Sequence, residues 1–554
     1  MAPTLGGLIG KPEEARMTTA DQALSREIER GMTRQDILRR AAALGIVVGG
    51  SLGPLTEAAF AESQIKRGGT FRQAVFGGAT DFIDGQHIVA KSDIVRLVAG
   101  FEGLLYYDNN GKIQLGLAEE FKAEKPNQYL IRVKPGIEFH NGKTLTIDDV
   151  IYSIARTRNH PKKLFGNASF KTVDLKRTKK LDKRTARIFL TQGDVTLIEA
   201  FAQYFQGVVP KGYQPTEIGK GPLQYIGTGP FKVKSFTPGR ESVHVKNENY
   251  WRSGQPYFDQ VRIINFPSDA AKVNALLSGQ IDAMTDVPFA QIPVVKGRSN
   301  LRIYSGKTGA WTPICMRVDT APFDDVRVRR AMRLLINRPQ AVQQGLSGNG
   351  IIGNDLYSPY DPLYAGDEFP QRKYDPEQAK SLLKAAGHDG LTVDLYSTAW
   401  DTGMNEGATI FASNAKAGGV TVNLKVIDGT AFGDQYLKWP FSTDYWGTRN
   451  YLLQTANAVM ATAPFNEIHW DAYPGYAKFA ALYRQAIRTI DEKKRGQIIK
   501  DMMRIQYNDG GHIIWGFKNL TDGYSAKVGG YKPEKGATLN LNKYGNGFRT
   551  IYFV

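Results

Sequence analysis

What most constrains the fold is an alternation of two periodicities along the chain. Runs that read as strands, Gly69 to Val75, Tyr129 to Val133, Ser242 to Lys246, Val261 to Phe266, Leu391 to Tyr396 and Val420 to Ile427, alternate with stretches at helical spacing. That alternation argues for α/β lobes, in which helices cover sheets. One helix is fully spelled out: Asp375 as N-cap, Pro376 at the first position, an apolar face at Ala379, Leu382, Leu383 and Ala386, and Gly387 as the stop. A second, long helical region is expected from Tyr476 to about Tyr507, with Phe479, Leu482, Ala486, Ile490, Ile498, Met502 and Ile505 on its apolar stripe. At about 100 to 200 residues per domain, 554 residues hold about two to four domains with ample core. With 42% hydrophobic and 23% charged residues, neither a disordered chain nor a multi-span membrane protein fits.

The chemistry of catalysis is sparse in this sequence. A single cysteine, Cys315, excludes an internal disulfide and any cluster of thiolates around zinc, and its mid-chain setting reads as packing. Histidines 87, 140, 160, 244, 388, 469 and 512 are scattered without close ligand spacing, so no metal site is expected from them. Gly136 to Thr144 looks like a phosphate loop, but five residues separate its glycines where the cradle needs four. Asn141-Gly142 within it reads instead as a hairpin turn. Asp148-Asp149 and Asp324-Asp325 are paired carboxylates that each open a helical run, and Thr146 with Asp149 has capping-box spacing. Acids in a first helical turn also meet the macrodipole favourably, so capping is the expectation over acid/base work.

An export signal occupies the front. Arg34, Arg39 and Arg40 precede an apolar stretch from Ala41 to Leu52, and Ala59-Phe60-Ala61 offers a small-residue cleavage site. The apolar stretch is too short for a membrane anchor, which takes ~20 residues. Thr33 to Arg40 resembles a twin-arginine signal with Gln35 where the second arginine would stand, so the Tat and Sec routes both remain. No lipobox cysteine follows it, and a free extracytoplasmic protein, most simply periplasmic, is expected.

The net charge of +17 raises the question of a polyanion partner. Residues 1 to 61 carry seven basic and seven acidic side chains, so the rest of the chain holds the whole excess. Between Arg156 and Arg184, eleven basic residues face only Asp174 and Asp182, a local +9. Only Phe165 and Phe170 lie there to stack on bases, so a solvated basic surface on turns and a hairpin is expected, with no nucleic acid bound.

Several of these stretches also carry a family likeness. Leu117 to Phe121 (LAEEF), Tyr129 to Gly136, Phe139 to Lys143 and Thr146 to Val150 resemble the signature of the family 5 extracytoplasmic solute-binding proteins. Gly227 to Phe231, Asn249 to Trp251, Gly279 to Asp282, Pro322 to Arg329 and Tyr374 to Gly387 follow in the family's order, and the resemblance spans about residues 66 to 535. Phe121 stands where the family often has tryptophan. The resemblance implies a binding protein that feeds an ABC importer with peptides, nickel complexes, sugars or opines. It further implies a type II periplasmic-binding-protein fold, two lobes with a hinge plus an extra domain. The boundaries it suggests are 1–61 for the export signal, 62–100 with 225–310 and 510–554 for lobe one, 101–224 for the extra domain and 311–509 for lobe two. Ligand would sit between the lobes and be delivered to a transmembrane permease, with no bond broken. The cleft would be lined by Asp81, Phe82, Trp311, Trp400, Asp444, Tyr445, Trp446, Arg449 and Trp515. Oligopeptide binders of the family use an aspartate near the Asp444 region for the peptide ammonium, while Arg449 suits a ligand carboxylate. No cofactor is expected, and nickel specificity finds no support in the histidine pattern.

Two classes of function stay open on the sequence. One is a periplasmic binding protein for a small polar or zwitterionic solute. The other is an exported hydrolase whose carboxylates meet only in the fold.

Overall fold

The computed structural model describes residues 65–554 apart from 80, 89–90, 109–110, 161–163, 165, 215–224 and 532–547. The expected export signal lies outside the described residues.

Three sheets organise the described chain. The largest has eight strands in the order Leu301–Trp311, Gly516–Ser525, Ala283–Met284, Thr70–Phe76, Gln260–Phe266, Glu241–Lys246 and Phe231–Thr237, with Gly350–Ile352 added beside Gly516–Ser525. Thr70–Phe76 pairs in parallel with both Gln260–Phe266 and Ala283–Met284, so it lies inside the sheet. Its sequence suits that place: Phe71 and Val75 pack with Val95, Ala99, Val261 and Ile263 on one face, while Ala74 meets Val273, Leu276 and Val295 on the other. The helices Lys91–Gly100 and Asp269–Leu277 supply those covers, the second capped by Ser268, whose side chain accepts the Ala271 N–H.

A five-stranded sheet runs Thr421–Val426, Thr392–Ser397, Phe441–Thr443, Ile314–Met316 and His512–Ile513. Around it pack the helices Val326–Leu334, Pro376–Ala385 and Met404–Ala415. Pro376–Ala385 forms as its sequence dictates: the Asp375 carboxylate accepts the Gln378 N–H at 2.9 Å, Ala379 and Leu383 are buried, and Gly387 takes φ +82°. The long helix expected over Tyr476 to Tyr507 is instead two, Tyr476–Ala486 and Glu492–Asp509. Asp491 accepts the Lys494 N–H and so starts a new helix, while Ile490, assigned to the apolar stripe, is exposed.

A four-stranded antiparallel sheet, Ala118–Lys125, Gln128–Val133, Thr185–Leu190 and Val173–Lys180, has its own core around Ile131, Val133, Val150, Ile154 and Phe201. The capping reading holds here, since Asp149 accepts the Thr146 N–H at 2.9 Å at the head of the helix Ile147–Asn159. Asp325 does the same for Val326–Leu334, accepting the Arg327 N–H at 2.7 Å. Asn141-Gly142 is a turn with Gly142 at φ +81°, closed by the Phe139 N–H to Lys143 O bond. Lys176, Arg177, Lys179, Lys180 and Lys183 are exposed along the hairpin formed by Val173–Lys180 and Thr185–Leu190.

The two larger sheets are joined by adjacent crossings. One runs from Trp311 to Ile314; the other runs from Ile513 to Gly516. These crossings are the hinge of a type II binding-protein fold, with the smaller antiparallel sheet as the extra domain.

Candidate functional site

The strand Phe441–Thr443 ends at a loop, Asp444 to Asn450, that is stitched to the first crossing. The Asp444 N–H donates to Pro313 O at 3.2 Å. Trp446 and Trp311 exchange backbone hydrogen bonds at 3.0 and 2.9 Å, a lone bridge between the loop and the end of the large sheet. Their rings stack at 6.1 Å, and the stack continues from Trp311 to Tyr357 at 5.8 Å and on to Tyr451 at 5.0 Å. This aromatic spine buries the hinge. Exposed backbone there would otherwise need water.

Next to the spine stands an open aromatic wall. Trp400 is 38% exposed and Tyr445 47% exposed, edge to face at 6.4 Å, with Phe432 and Tyr436 also edge-on to Trp400. Gly429 makes room for that indole, since a Cβ there would fall 2.7 Å from Trp400 Nε1. Behind the wall lies Asp444, only 1% exposed, whose Oδ2 accepts the Tyr436 hydroxyl at 2.8 Å and whose Oδ1 accepts the Tyr445 N–H at 2.7 Å. Burial, then the nearby Glu467, pushes the Asp444 carboxyl well above the usual carboxylate range. Arg449 closes the loop, its guanidinium 5.2 Å from the centre of the Trp446 ring. It lines a small crevice together with Thr448, Asn450, Tyr360, Tyr107 and Gln203.

Six of the nine residues singled out in the sequence therefore meet in space: Trp311, Trp400, Asp444, Tyr445, Trp446 and Arg449. The others stand apart from that group. Asp81 is buried, and its carboxylate takes Arg96 Nη1 at 3.0 Å, the Ser92 hydroxyl at 2.9 Å, the Asn265 amide and the Gly78 N–H. Burial alone would raise its pKa, but the Asn265 and Gly78 hydrogen bonds and the Arg96 charge carry it below the ordinary value. Phe82 rests its ring on His87 at 4.4 Å. Trp515 is packed in the core of the five-stranded sheet, so close to Gly407 that a Cβ there would meet the indole at 2.8 Å.

Sequence reasoning missed Tyr436, Glu467 and His512. Glu467 is 3% exposed; its Oε1 accepts Trp446 Nε1–H at 2.8 Å and faces His512 Nε2 at 3.0 Å. Burial pushes Glu467 up to about 8 and His512 down to about 3. No local pattern marks these two, because their partners lie on other strands. Asp444 and Glu467, two carboxylates that the fold brings together, are thus shut behind Trp446 and Tyr436, which is poor placement for hydrolysis of a cleft ligand.

Comparison with known proteins gives the same outline. The model of the bacterial extracellular solute-binding proteins, family 5 (middle region), matches residues 112–462. The dipeptide-binding protein of Escherichia coli K12 is 22% identical over 449 residues, covering 75% of this chain and 83% of that protein. The oligopeptide-binding protein AppA of Bacillus subtilis is 27% identical over 369 residues, covering 62% and 66%. In fold, the periplasmic binding protein DppA from Helicobacter pylori, solved with the peptide STSA, superposes with a TM-score of 0.73 at 19% identity over 89% of this chain and 99% of that one.

Proposed function

We propose, from the premise that this chain belongs to the family 5 bacterial extracellular solute-binding proteins, that its ligand is a small zwitterionic peptide or peptide-like, opine-like solute. It captures that solute between the two lobes in the periplasm, after export by the Tat or Sec route, and delivers it to the permease of an ABC importer. The observation that carries the ligand class is the chemistry along one loop: the exposed ring of Tyr445 beside Trp400, and the guanidinium of Arg449. Arg449 offers a planar fork for a ligand carboxylate. Trp400 and Tyr445 give an apolar wall for side chains. The relatives' printed ligands, a dipeptide, an oligopeptide and the peptide STSA, support this class. Since hinge closure buries the ligand, binding shifts a population and consumes no bond.

A thermal-shift panel of peptides, opine-like conjugates, oligosaccharides and nickel chelates tests the reading. A true ligand at 100 times its dissociation constant stabilises the protein by ~2.7 kcal/mol. Peptides or opine conjugates should give that shift and be recovered intact by mass spectrometry. A shift with oligosaccharides alone, or a hit recovered as cleaved product, contradicts it.

A further inference from the structure

The one cysteine of the chain is not isolated in the fold. Cys315 lies directly across the ladder from His512, and Glu467 reaches the same point from a loop. One ligand atom from each of Cys315, Glu467 and His512 lies within 4.8 Å of the other two, and all three residues are buried. Glu467 Oε2 is a buried oxygen with no hydrogen-bond partner. Among the described residues no lysine or arginine forms an ion pair with Glu467, whose one charged-type contact is His512. A buried carboxyl oxygen left without a partner costs free energy. A divalent ion removes that cost and uses the one oxygen left idle.

We propose that Cys315, Glu467 and His512 form a binding site for a single Zn²⁺ ion. A sulfur, oxygen and nitrogen donor set suits this borderline-soft ion, and in a tetrahedral site such donors stand about 3.3 to 3.6 Å apart. The three donors lie within 4.8 Å of one another, so binding draws them together by at most about 1.5 Å. Coordination converts the Cys315 thiol to thiolate, and its proton leaves to solvent. A water supplies the fourth ligand that a tetrahedral site takes. Bound there, the ion ties both hinge crossings together, since Cys315 follows the first and His512 precedes the second. Through Glu467 it also holds Trp446, whose Nε1–H donates to the same carboxylate. The role is therefore structural: the ion sets the hinge and the back wall of the ligand cleft.

Cobalt substitution tests this on the untagged, chelator-stripped chain. Co²⁺ should bind in one equivalent and develop a thiolate-to-cobalt charge-transfer band, which Zn²⁺ then abolishes. Because Cys315 is the single cysteine, that band has no other source. Cys315→Ser should remove the band and weaken Zn²⁺ at least about 100-fold in competition with a chromogenic chelator, with the unfolding transition still cooperative. Saturation of the wild-type chain with Co²⁺ without a thiolate band overturns the proposal, as does undiminished zinc affinity in Cys315→Ser. The wild-type spectrum decides the matter even where a variant fails to fold, and its outcome is independent of which solute the cleft takes.

Discussion

Arg449 and Trp400 separate ligand contact from fold maintenance. Arg449 lies at the crevice and Trp400 is partly exposed, so neither holds a core together. Arg449→Ala should weaken an identified ligand by about 10- to 100-fold in calorimetry, the worth of a hydrogen bond to a charged group, while the melting temperature stays within a few degrees. Unchanged affinity would remove Arg449 from the site. Asp355 is the opposite kind of residue. Its carboxylate is buried and takes Arg338 at 2.7 Å and Arg372 at 2.7 Å, with Arg333 close by. Burial opposes its charge, yet the three guanidiniums hold its pKa below the usual value. Asp355→Asn leaves buried arginines uncompensated and should cost about 3 to 5 kcal/mol in urea denaturation; a loss under about 1 kcal/mol would contradict that. Asp444 to Arg449 were legible because aromatics and opposite charges crowd six consecutive positions. Glu467, His512 and Tyr436 were not, since each matters through a partner on another segment. Asp81 looked available only because the sequence does not show Arg96 folding back onto it.

Caps and turns were the most readable elements. Asp375, Asp149, Asp325 and Asn141-Gly142 act through neighbours within a few residues, so local spacing suffices to find them. The break between Tyr476–Ala486 and Glu492–Asp509 escaped because the apolar stripe runs through it, and the cap at Asp491 was the overlooked signal. Asp491→Ala should cost about 1 kcal/mol of stability in chemical denaturation, and no change would mean that packing alone sets the break. Besides His512, two histidines give the elements a pH dependence. His140 in the turn region accepts the Gly227 N–H at Nδ1 and faces Gly229 O at 3.0 Å, tying the turn to the segment before the strand Phe231–Thr237. His244 sits inside the strand Glu241–Lys246. Burial lowers their pKa values to about 4 and about 3. Unfolded, each takes a proton near its ordinary value of about 6.5. Between that value and the folded one the unfolded chain binds more protons, so stability is lost as the pH is lowered, on the order of 3 kcal/mol for His140 by pH 4. A urea midpoint that holds steady from pH 7 to about pH 4 would contradict this sign.

Across the lobes, the fold class followed from the alternation of strands and helices, but the crossings did not. Nothing in a sequence says that Trp311 will bridge Trp446, 135 positions away by their numbers, because that contact depends on how the two sheets meet. The +17 charge also looks different once the chain is folded. Four of the eleven basic residues between Arg156 and Arg184 lie along Val173–Lys180, an edge strand of the four-stranded sheet, where lysines also discourage strand addition by a second chain. Ligand charge has to be read from the cleft. There the aromatic wall and Arg449 point to a peptide-like solute that carries a carboxylate.

Isothermal titration of the mature protein with short peptides, followed by mass spectrometry of the recovered ligand, bears on this most directly. Saturable one-to-one binding with a negative heat-capacity change and an intact peptide is expected for capture by lobe closure. Absence of binding by every peptide and opine conjugate, or recovery of cleaved product, would contradict it.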